Sequence, residues 1–168
     1  MGKKPSKAFQ DLQNLPATKV KGKIKITHKK RDHLDDYAKE LRKIYPDMKI
    51  IKPKQGEFKM SELLWFFLRT EKELICENIE LGSLLVSLAV IAWNLSLLPE
   101  EDREEELEQF YIKNIVENYS YLDDFRETIQ MFMERKLKYF GDFNIFISDF
   151  KLEEIEEQVR LSVVSMLE

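Results

Sequence analysis

Cysteine, glycine and proline are all scarce in this sequence of 168 residues. The single cysteine, Cys76, excludes an internal disulfide framework, so the chain lacks the composition of a small secreted scaffold. Five glycines and five prolines are too few for a sandwich or barrel built on many tight turns. The first 30 residues contain no apolar run of the kind found in a secretory signal peptide. These absences predict a cytoplasmic protein that is rich in helix.

Patterns that carry catalysis are equally sparse. The sequence has no glycine-rich phosphate loop, which argues against a nucleotide-binding enzyme. His28 and His33 lie near Asp32, Asp35 and Asp36, but their spacing spans a predicted strand-to-helix junction and lacks the geometry of a metal site. Asp32 and Asp35 are better explained as the N-cap and a first-turn acid of a helix. We therefore expect no bound metal, no cofactor and no enzymatic activity.

One short pattern resembles the signature of a large superfamily of Mg²⁺-dependent nucleases. Pro46-Asp47 is followed, after nine further residues, by Glu57-Phe58-Lys59, as in the Pro-Asp…(Asp/Glu)-x-Lys signature. The resemblance implies that Asp47 and Glu57 hold the metal ion and that Lys59 orients or stabilises the attacking water. The surrounding residues predict a linker rather than the buried strand that the signature occupies. A divalent-metal-dependent nuclease is therefore kept as a third hypothesis.

Charge, unlike these features, is abundant, and it is distributed very unevenly. Residues 1–60 contain 17 Lys and Arg against 7 Asp and Glu, a net charge of +10, whereas residues 61–168 have a net charge of −14. Lysine occupies every second position from Lys19 to Lys25, with apolar or small residues between. This period of two predicts a strand with one lysine face. Such a face can follow a phosphate backbone, because each contact releases counterions.

We therefore expect a non-enzymatic interaction or accessory module whose basic N-terminal region binds nucleic acid or another polyanion. The residues expected to bind are Lys19, Lys21, Lys23, Lys25, Lys29, Lys30 and Arg31. Two structural explanations remain open for the same residues. The lysines could protect an edge strand from aggregation, or they could dock the strand on the acidic part of the same chain.

The acidic part of the chain supports a second functional hypothesis. The acidic run over 100–108 predicts the first turn and solvated face of a helix that begins near Pro99. As a surface, this run would suit a protein–protein adaptor or inhibitor with a basic protein as its partner. The residues expected to form that surface are Glu100, Glu101, Glu104, Glu105 and Glu108.

The hydrophobic pattern predicts an α+β fold that is mainly helical. Four helices over about 61–140 are expected to form a central antiparallel bundle. The first covers Ser61–Ile79, and the second is the uncharged stretch Leu81–Leu98. Acidic flanks and the lack of Lys or Arg clusters identify this stretch as a buried helix rather than a membrane span.

A small β element is predicted from the N-terminal and C-terminal segments. A strand over 19–27 is followed by a helix, by a second short strand over 48–52 and by a linker over 52–59. The predicted helix has an apolar face formed by Leu34, Tyr37, Leu41 and Ile44.

The C-terminal segment 143–166 predicts two paired strands, although residues 152–166 also fit a helix. The domain organisation that follows is a flexible basic arm and one globular domain. The arm covers residues 1–18 and the domain covers residues 19–168. Within the domain, the basic strand–helix–strand subregion covers 19–52, the helical core covers 61–140 and the C-terminal strands cover 143–166.

Overall fold

The computed structural model describes residues 23–25, 33–48, 50, 57–114 and 122–167. Within these ranges the elements follow in the order β1 (Lys23–Lys25), α1 (His33–Ile44), β2 (Glu57–Lys59), α2 (Met60–Phe67), α3 (Lys72–Glu77), α4 (Ile79–Leu95), α5 (Glu100–Asn114), α6 (Leu122–Tyr139), β3 (Ile145–Ile155) and β4 (Gln158–Leu167). The strands form two antiparallel pairs, β1 with β2 and β3 with β4. The fold is α+β and mainly helical, as the hydrophobic pattern predicts.

Helix α4 lies at the centre of the helical core. Asn78 caps its first turn, because the Asn78 Oδ1 accepts hydrogen bonds from the backbone N–H groups of Glu80 and Leu81, both at 3.1 Å. The helix packs against α3, α6 and β3. Its buried residues are Gly82, Val86, Leu88, Ala89, Ala92, Trp93 and Leu95. The prediction of a buried helix in this segment is confirmed. Across the described ranges, no helix combines the length and apolar character that a membrane crossing requires.

The polar side chains of α4 join the helix to β3. The Trp93 Nε1 donates a hydrogen bond to the Ile145 carbonyl at 2.8 Å. The Asn94 side-chain amide donates to the Ile147 carbonyl at 2.8 Å and accepts from the Ile147 N–H at 2.9 Å. Asn94 thus pairs with the strand much as a neighbouring strand would, and it satisfies backbone groups that an edge strand otherwise leaves unpaired.

The predicted helix over Ser61–Ile79 is two helices in the structure, α2 and α3, separated by residues 68–71. At the end of α2, the Phe67 carbonyl accepts hydrogen bonds from the Tyr37 hydroxyl at 3.0 Å and from the Arg135 guanidinium at 2.8 Å. These donors belong to α1 and α6, so tertiary contacts satisfy a carbonyl that a continuous helix would satisfy locally. Counted over the described residues, the core therefore contains five helices between residues 60 and 139, one more than predicted.

The N-terminal sheet uses a different partner strand from the one predicted. Strand β1 pairs with β2, which lies in the segment predicted to be a linker, so that prediction is wrong over Glu57–Lys59. Met48 and Ile50 lie in no strand, which contradicts the strand predicted over 48–52 at those two positions. The remaining residues of that segment, and the predicted arm over 1–18, lie outside the described residues.

Helix α1 buries most of its predicted apolar face. Leu34, Tyr37 and Leu41 are buried, and Ala38 joins them in the core. Ile44 is 59% exposed, so its predicted place on the buried face is wrong. The helix packs against α6, and this contact leaves its last turn at the surface.

The C-terminal segment forms a β-hairpin, which confirms the strand interpretation of residues 152–166. Strands β3 and β4 pair from Ile145 opposite Leu167 to Ile155 opposite Gln158, with an irregularity between Ile147 and Asp149. The connecting residues Glu156 and Glu157 have φ values of 51° and 64°. Two successive positive φ values are typical of a type I′ turn, whose twist matches that of the flanking strands.

Candidate polyanion-binding surface

The register of β1 and β2 concentrates lysine positions on one face of the N-terminal sheet. Lys23 lies opposite Lys59, Ile24 opposite Phe58, and Lys25 opposite Glu57. Directly opposite residues of an antiparallel pair share a face, and neighbours along a strand alternate between faces. Positions 23, 25, 57 and 59 therefore share one face, which we call the basic face. It has three lysine positions and one glutamate position, and Lys59 is exposed.

Only part of the predicted binding set falls within the described residues. Lys23 and Lys25 belong to β1. The other predicted residues, Lys19, Lys21, Lys29, Lys30 and Arg31, lie outside the described residues. Lys59 was not predicted to belong to this set, because a proline and a glycine in 52–59 are typical of a linker. Its two-residue alternation with Glu57 is the signal that could have identified the strand.

Local structure holds Lys59 in two ways. Its backbone pairs with Lys23 in the sheet, and it is also the N-cap residue of α2. The Lys59 N–H donates a hydrogen bond to the Glu62 Oε2 at 3.1 Å, as in a capping box, where the third helical residue accepts from the N-cap backbone. The position of this lysine is thus set by a strand and a helix together.

Two lysine positions of the basic face lie directly opposite each other. Like charges on facing residues destabilise a strand pair, and Lys23 opposite Lys59 is such a pair of positions. Glu57 is the residue opposite Lys25 in this register, so the four positions together have a formal net charge of +2.

The predicted acidic surface lies on α5. Glu100, Glu101, Glu104, Glu105 and Glu108 are all exposed. Arg126 of α6 forms ion pairs with two of them, at 3.1 Å from the Glu104 Oε1 and also with Glu108. Glu106, in contrast, is 5% exposed. The surface open to a partner is therefore formed by Glu100, Glu101 and Glu105, which make no ion pair with a described residue.

The nuclease signature is divided between two surface segments. Asp47 is exposed in the turn that follows α1. Glu57 and Lys59 lie in a strand rather than in the expected linker, but Lys59 is exposed, whereas the signature occupies a buried strand. The Glu57 side chain lies outside the described part of the chain. Where side chains are described, no three or more His, Cys, Asp or Glu residues form a group that could hold a metal ion.

The predicted histidine and aspartate cluster is only partly brought together. The His33 Nδ1 lies 3.8 Å from an Asp36 carboxylate oxygen, and its Nε2 lies 4.0 Å from one of Asp142. Asp35 is exposed, and His28 and Asp32 lie outside the described residues. Asp142, which follows α6, was not anticipated because it lies more than a hundred positions away in sequence. The His33 imidazole thus lies between a carboxylate of α1 and one that follows α6.

Helix α6 contributes a buried cation that belongs to neither surface. Lys136 is 2% exposed, its Nζ donates a hydrogen bond to the Phe140 carbonyl at 2.7 Å, and it lies 4.6 Å from the centre of the Trp93 ring. Burial lowers the pKa of this ammonium group to about 8, although the nearby Asp142 carboxylate opposes the shift. The sequence places Lys136 in the last turn of a helix but does not indicate that it is buried.

Comparison of the chain with protein-family models, curated proteins and solved structures finds no match. The residues themselves are therefore the guide to function, and the basic face is the feature that combines a sequence pattern with a defined register.

Proposed function

We propose that this protein is a non-enzymatic interaction module whose basic N-terminal region binds nucleic acid or another polyanion. The observation that supports the proposal best is the register of β1 and β2, in which Lys23 and Lys59 are direct cross-strand neighbours and Lys25 shares their face. A phosphate backbone supplies the negative charge that this face lacks. Phosphate contacts of this kind give affinity without reading sequence, so binding is expected to tolerate any base sequence.

The expected strength follows from counting phosphate contacts. Three lysines that each neutralise one phosphate of a duplex give a log–log salt dependence of about −2.7, from roughly −0.9 per contact. The basic residues that precede and follow β1 would make this slope steeper. Sequence-independent binding of this kind has Kd values of about 10⁻⁴ to 10⁻⁶ M at physiological salt.

The test replaces Lys23, Lys25 and Lys59 with Gln in one variant, which keeps polar side chains and removes three positive charges. The matched control replaces Arg42, Lys151 and Arg160 with Gln, because these exposed residues lie on α1 and the C-terminal hairpin. Binding to labelled duplex and single-stranded oligonucleotides is measured by fluorescence anisotropy from about 50 to 200 mM salt. The first variant is expected to bind every oligonucleotide more weakly and with a shallower salt slope than the control. The proposal is wrong if wild type does not bind at the lowest salt concentration, or if both variants lose the same affinity.

A second candidate is a protein–protein adaptor or inhibitor that acts through the acidic surface of α5. It is supported by the three glutamates Glu100, Glu101 and Glu105, which are exposed and form no ion pair with a described residue. Their replacement by Gln in one variant should abolish binding of a basic protein or a polylysine peptide. Retention of that binding in the variant would eliminate this candidate.

A further inference from the structure

A cleft of about 310 Å³ lies between α1 and the C-terminal end of α6. Its walls are formed by Asp36, Lys39, Glu40, Lys43, Lys138 and Tyr139. The first four residues follow the helical spacing of one face of α1, so they line one wall together. Pockets for small ligands begin at roughly 300 Å³, so the cleft is large enough for a small molecule.

The charges of this cleft are only partly compensated within the described structure. The Lys43 Nζ lies 3.6 Å from a Glu40 carboxylate oxygen and forms an ion pair with it. Lys39 and Lys138 form no ion pair with any described residue. Lys138 lies over the ring of Tyr139, with its Nζ 5.1 Å from the ring centre. Two ammonium groups from two different helices thus border one cleft without a carboxylate partner among the described residues.

We propose that this cleft binds a small phosphate monoester that carries hydroxyl groups, such as a sugar phosphate or a nucleoside monophosphate. Lysine ammonium groups bind phosphate as compact point charges with several donors. Lys39 and Lys138 would hold the phosphate between the two helices. The carboxylates of Asp36 and Glu40 are acceptors, so they would accept hydrogen bonds from ligand hydroxyl groups.

The same two carboxylates determine which ligands are disfavoured. They would repel a second phosphate group or a continuous phosphate backbone, since like charges near each other raise the free energy of binding. The cleft is therefore chemically different from the basic face, where three of the four positions are lysine. This inference does not depend on nucleic-acid binding by β1, and either proposal can fail without the other.

Isothermal titration calorimetry on the full chain tests the proposal with four probes: ribose 5-phosphate, adenosine monophosphate, inorganic phosphate and unphosphorylated ribose. We expect both monoesters to bind with one site per chain, on the order of 1 mM, and about fivefold more tightly than inorganic phosphate because of the added hydroxyl contacts. Ribose alone is expected not to bind. A difference between the two monoesters would identify which of them the cleft fits better.

Three single variants locate the site. Lys39→Gln and Lys138→Gln should each weaken binding of ribose 5-phosphate about tenfold, the effect of losing one charged contact. Lys151→Gln is the matched control, because Lys151 is exposed on β3 and pairs with Glu153 at 2.9 Å, and it should leave the affinity unchanged. Circular dichroism checks that all three fold alike.

Glu40→Gln tests the role assigned to the carboxylates. This variant should bind inorganic phosphate more tightly than wild type does. The ratio of its affinity for ribose 5-phosphate to its affinity for inorganic phosphate should be smaller than in wild type. The proposal is overturned if about 10 mM ribose 5-phosphate does not saturate the protein. It is also overturned if Lys39→Gln and Lys138→Gln bind ribose 5-phosphate as tightly as Lys151→Gln does, or if Glu40→Gln leaves the affinity ratio of ribose 5-phosphate to inorganic phosphate unchanged.

Discussion

The Arg135 guanidinium and the Glu71 carboxylate form two hydrogen bonds of 2.9 Å each, and their side chains are only 13% and 14% exposed. The guanidinium group also lies 5.4 Å from the centre of the Phe67 ring and 5.3 Å from that of Phe132. Burial lowers the pKa of Arg135, but the hydrogen bonds to Glu71 and the electrostatic interactions with Tyr37 and Glu71 together raise the pKa overall. This pair connects α6 to the segment between α2 and α3.

Loss of one partner of this pair should therefore be costly. Arg135→Ala leaves the Glu71 carboxylate largely buried without its partner, and we expect it to lower the free energy of unfolding by about 3 kcal/mol. Arg135→Lys keeps the charge but loses the paired geometry, so it should be intermediate. Urea unfolding measures both. A double variant, Arg135→Met with Glu71→Leu, should recover most of the loss, and equal destabilisation of the double and single variants would contradict this account.

The buried Lys136 predicts a stability that rises with pH in the alkaline range. Its pKa of about 8 in the folded protein lies below the value of about 10.4 for an unfolded lysine, so above pH 8 the unfolded state binds more protons. Stability should then increase with pH by up to about 1.4 kcal/mol per unit. Urea unfolding at pH 7, 8 and 9 measures this slope. Lys136→Met should remove it, whereas Lys138→Met on the exposed side of α6 should not.

Gly82 permits the close approach of α3 and α4. A Cβ atom at this position would lie 2.8 Å from the Ile75 carbonyl oxygen and 2.9 Å from its Cγ2. Gly82→Ala should therefore destabilise the protein by about 1–3 kcal/mol, although alanine favours a helix by about 1 kcal/mol. Thermal unfolding followed by circular dichroism checks this. Ser83→Ala, at the next and half-buried position, is the control and should change stability by less than about 0.5 kcal/mol.

The hairpin turn offers a stabilising substitution. Both Glu156 and Glu157 adopt positive φ values, which cost free energy for a residue with a large side chain. Asparagine followed by glycine is the preferred pair in a type I′ turn, so Glu156→Asn combined with Glu157→Gly should stabilise the protein by about 1 kcal/mol in urea unfolding. The control is Glu156→Gln with Glu157→Gln, which removes both charges and keeps the conformational cost. If the control gains the same free energy of unfolding, the stabilisation is due to the loss of charge and not to the turn conformation.

The nuclease hypothesis has a direct test at Lys59. We expect purified protein to leave single-stranded and duplex nucleic acid intact in the presence of Mg²⁺ or Mn²⁺, assayed by gel electrophoresis. Cleavage by wild type that disappears in Lys59→Ala would contradict this expectation and favour the nuclease. Because Lys59 also belongs to the basic face, binding of the variant should be measured alongside cleavage.

Local sequence patterns determined the elements whose signal lies within one segment. The uncharged stretch Leu81–Leu98 specifies α4, because its apolar residues are numerous enough for a buried helix. Alternation around Ile145 and Val163 favoured the two strands of the C-terminal hairpin, although residues 152–166 also fitted a helix until the pairing with β3 was known. The lysine alternation likewise located β1.

Tertiary structure alone decided the features that depend on contacts between distant segments. The helix predicted over Ser61–Ile79 breaks after Phe67, where Tyr37 and Arg135 bind its carbonyl. The pairing of β1 with β2 depends on a register across more than thirty residues, and no local spacing encodes it. Lys136 is buried beside Trp93, which belongs to another helix. The periodicity of a segment shows which of its faces is apolar. Which distant segment packs against that face depends on the free energy of the whole folded chain.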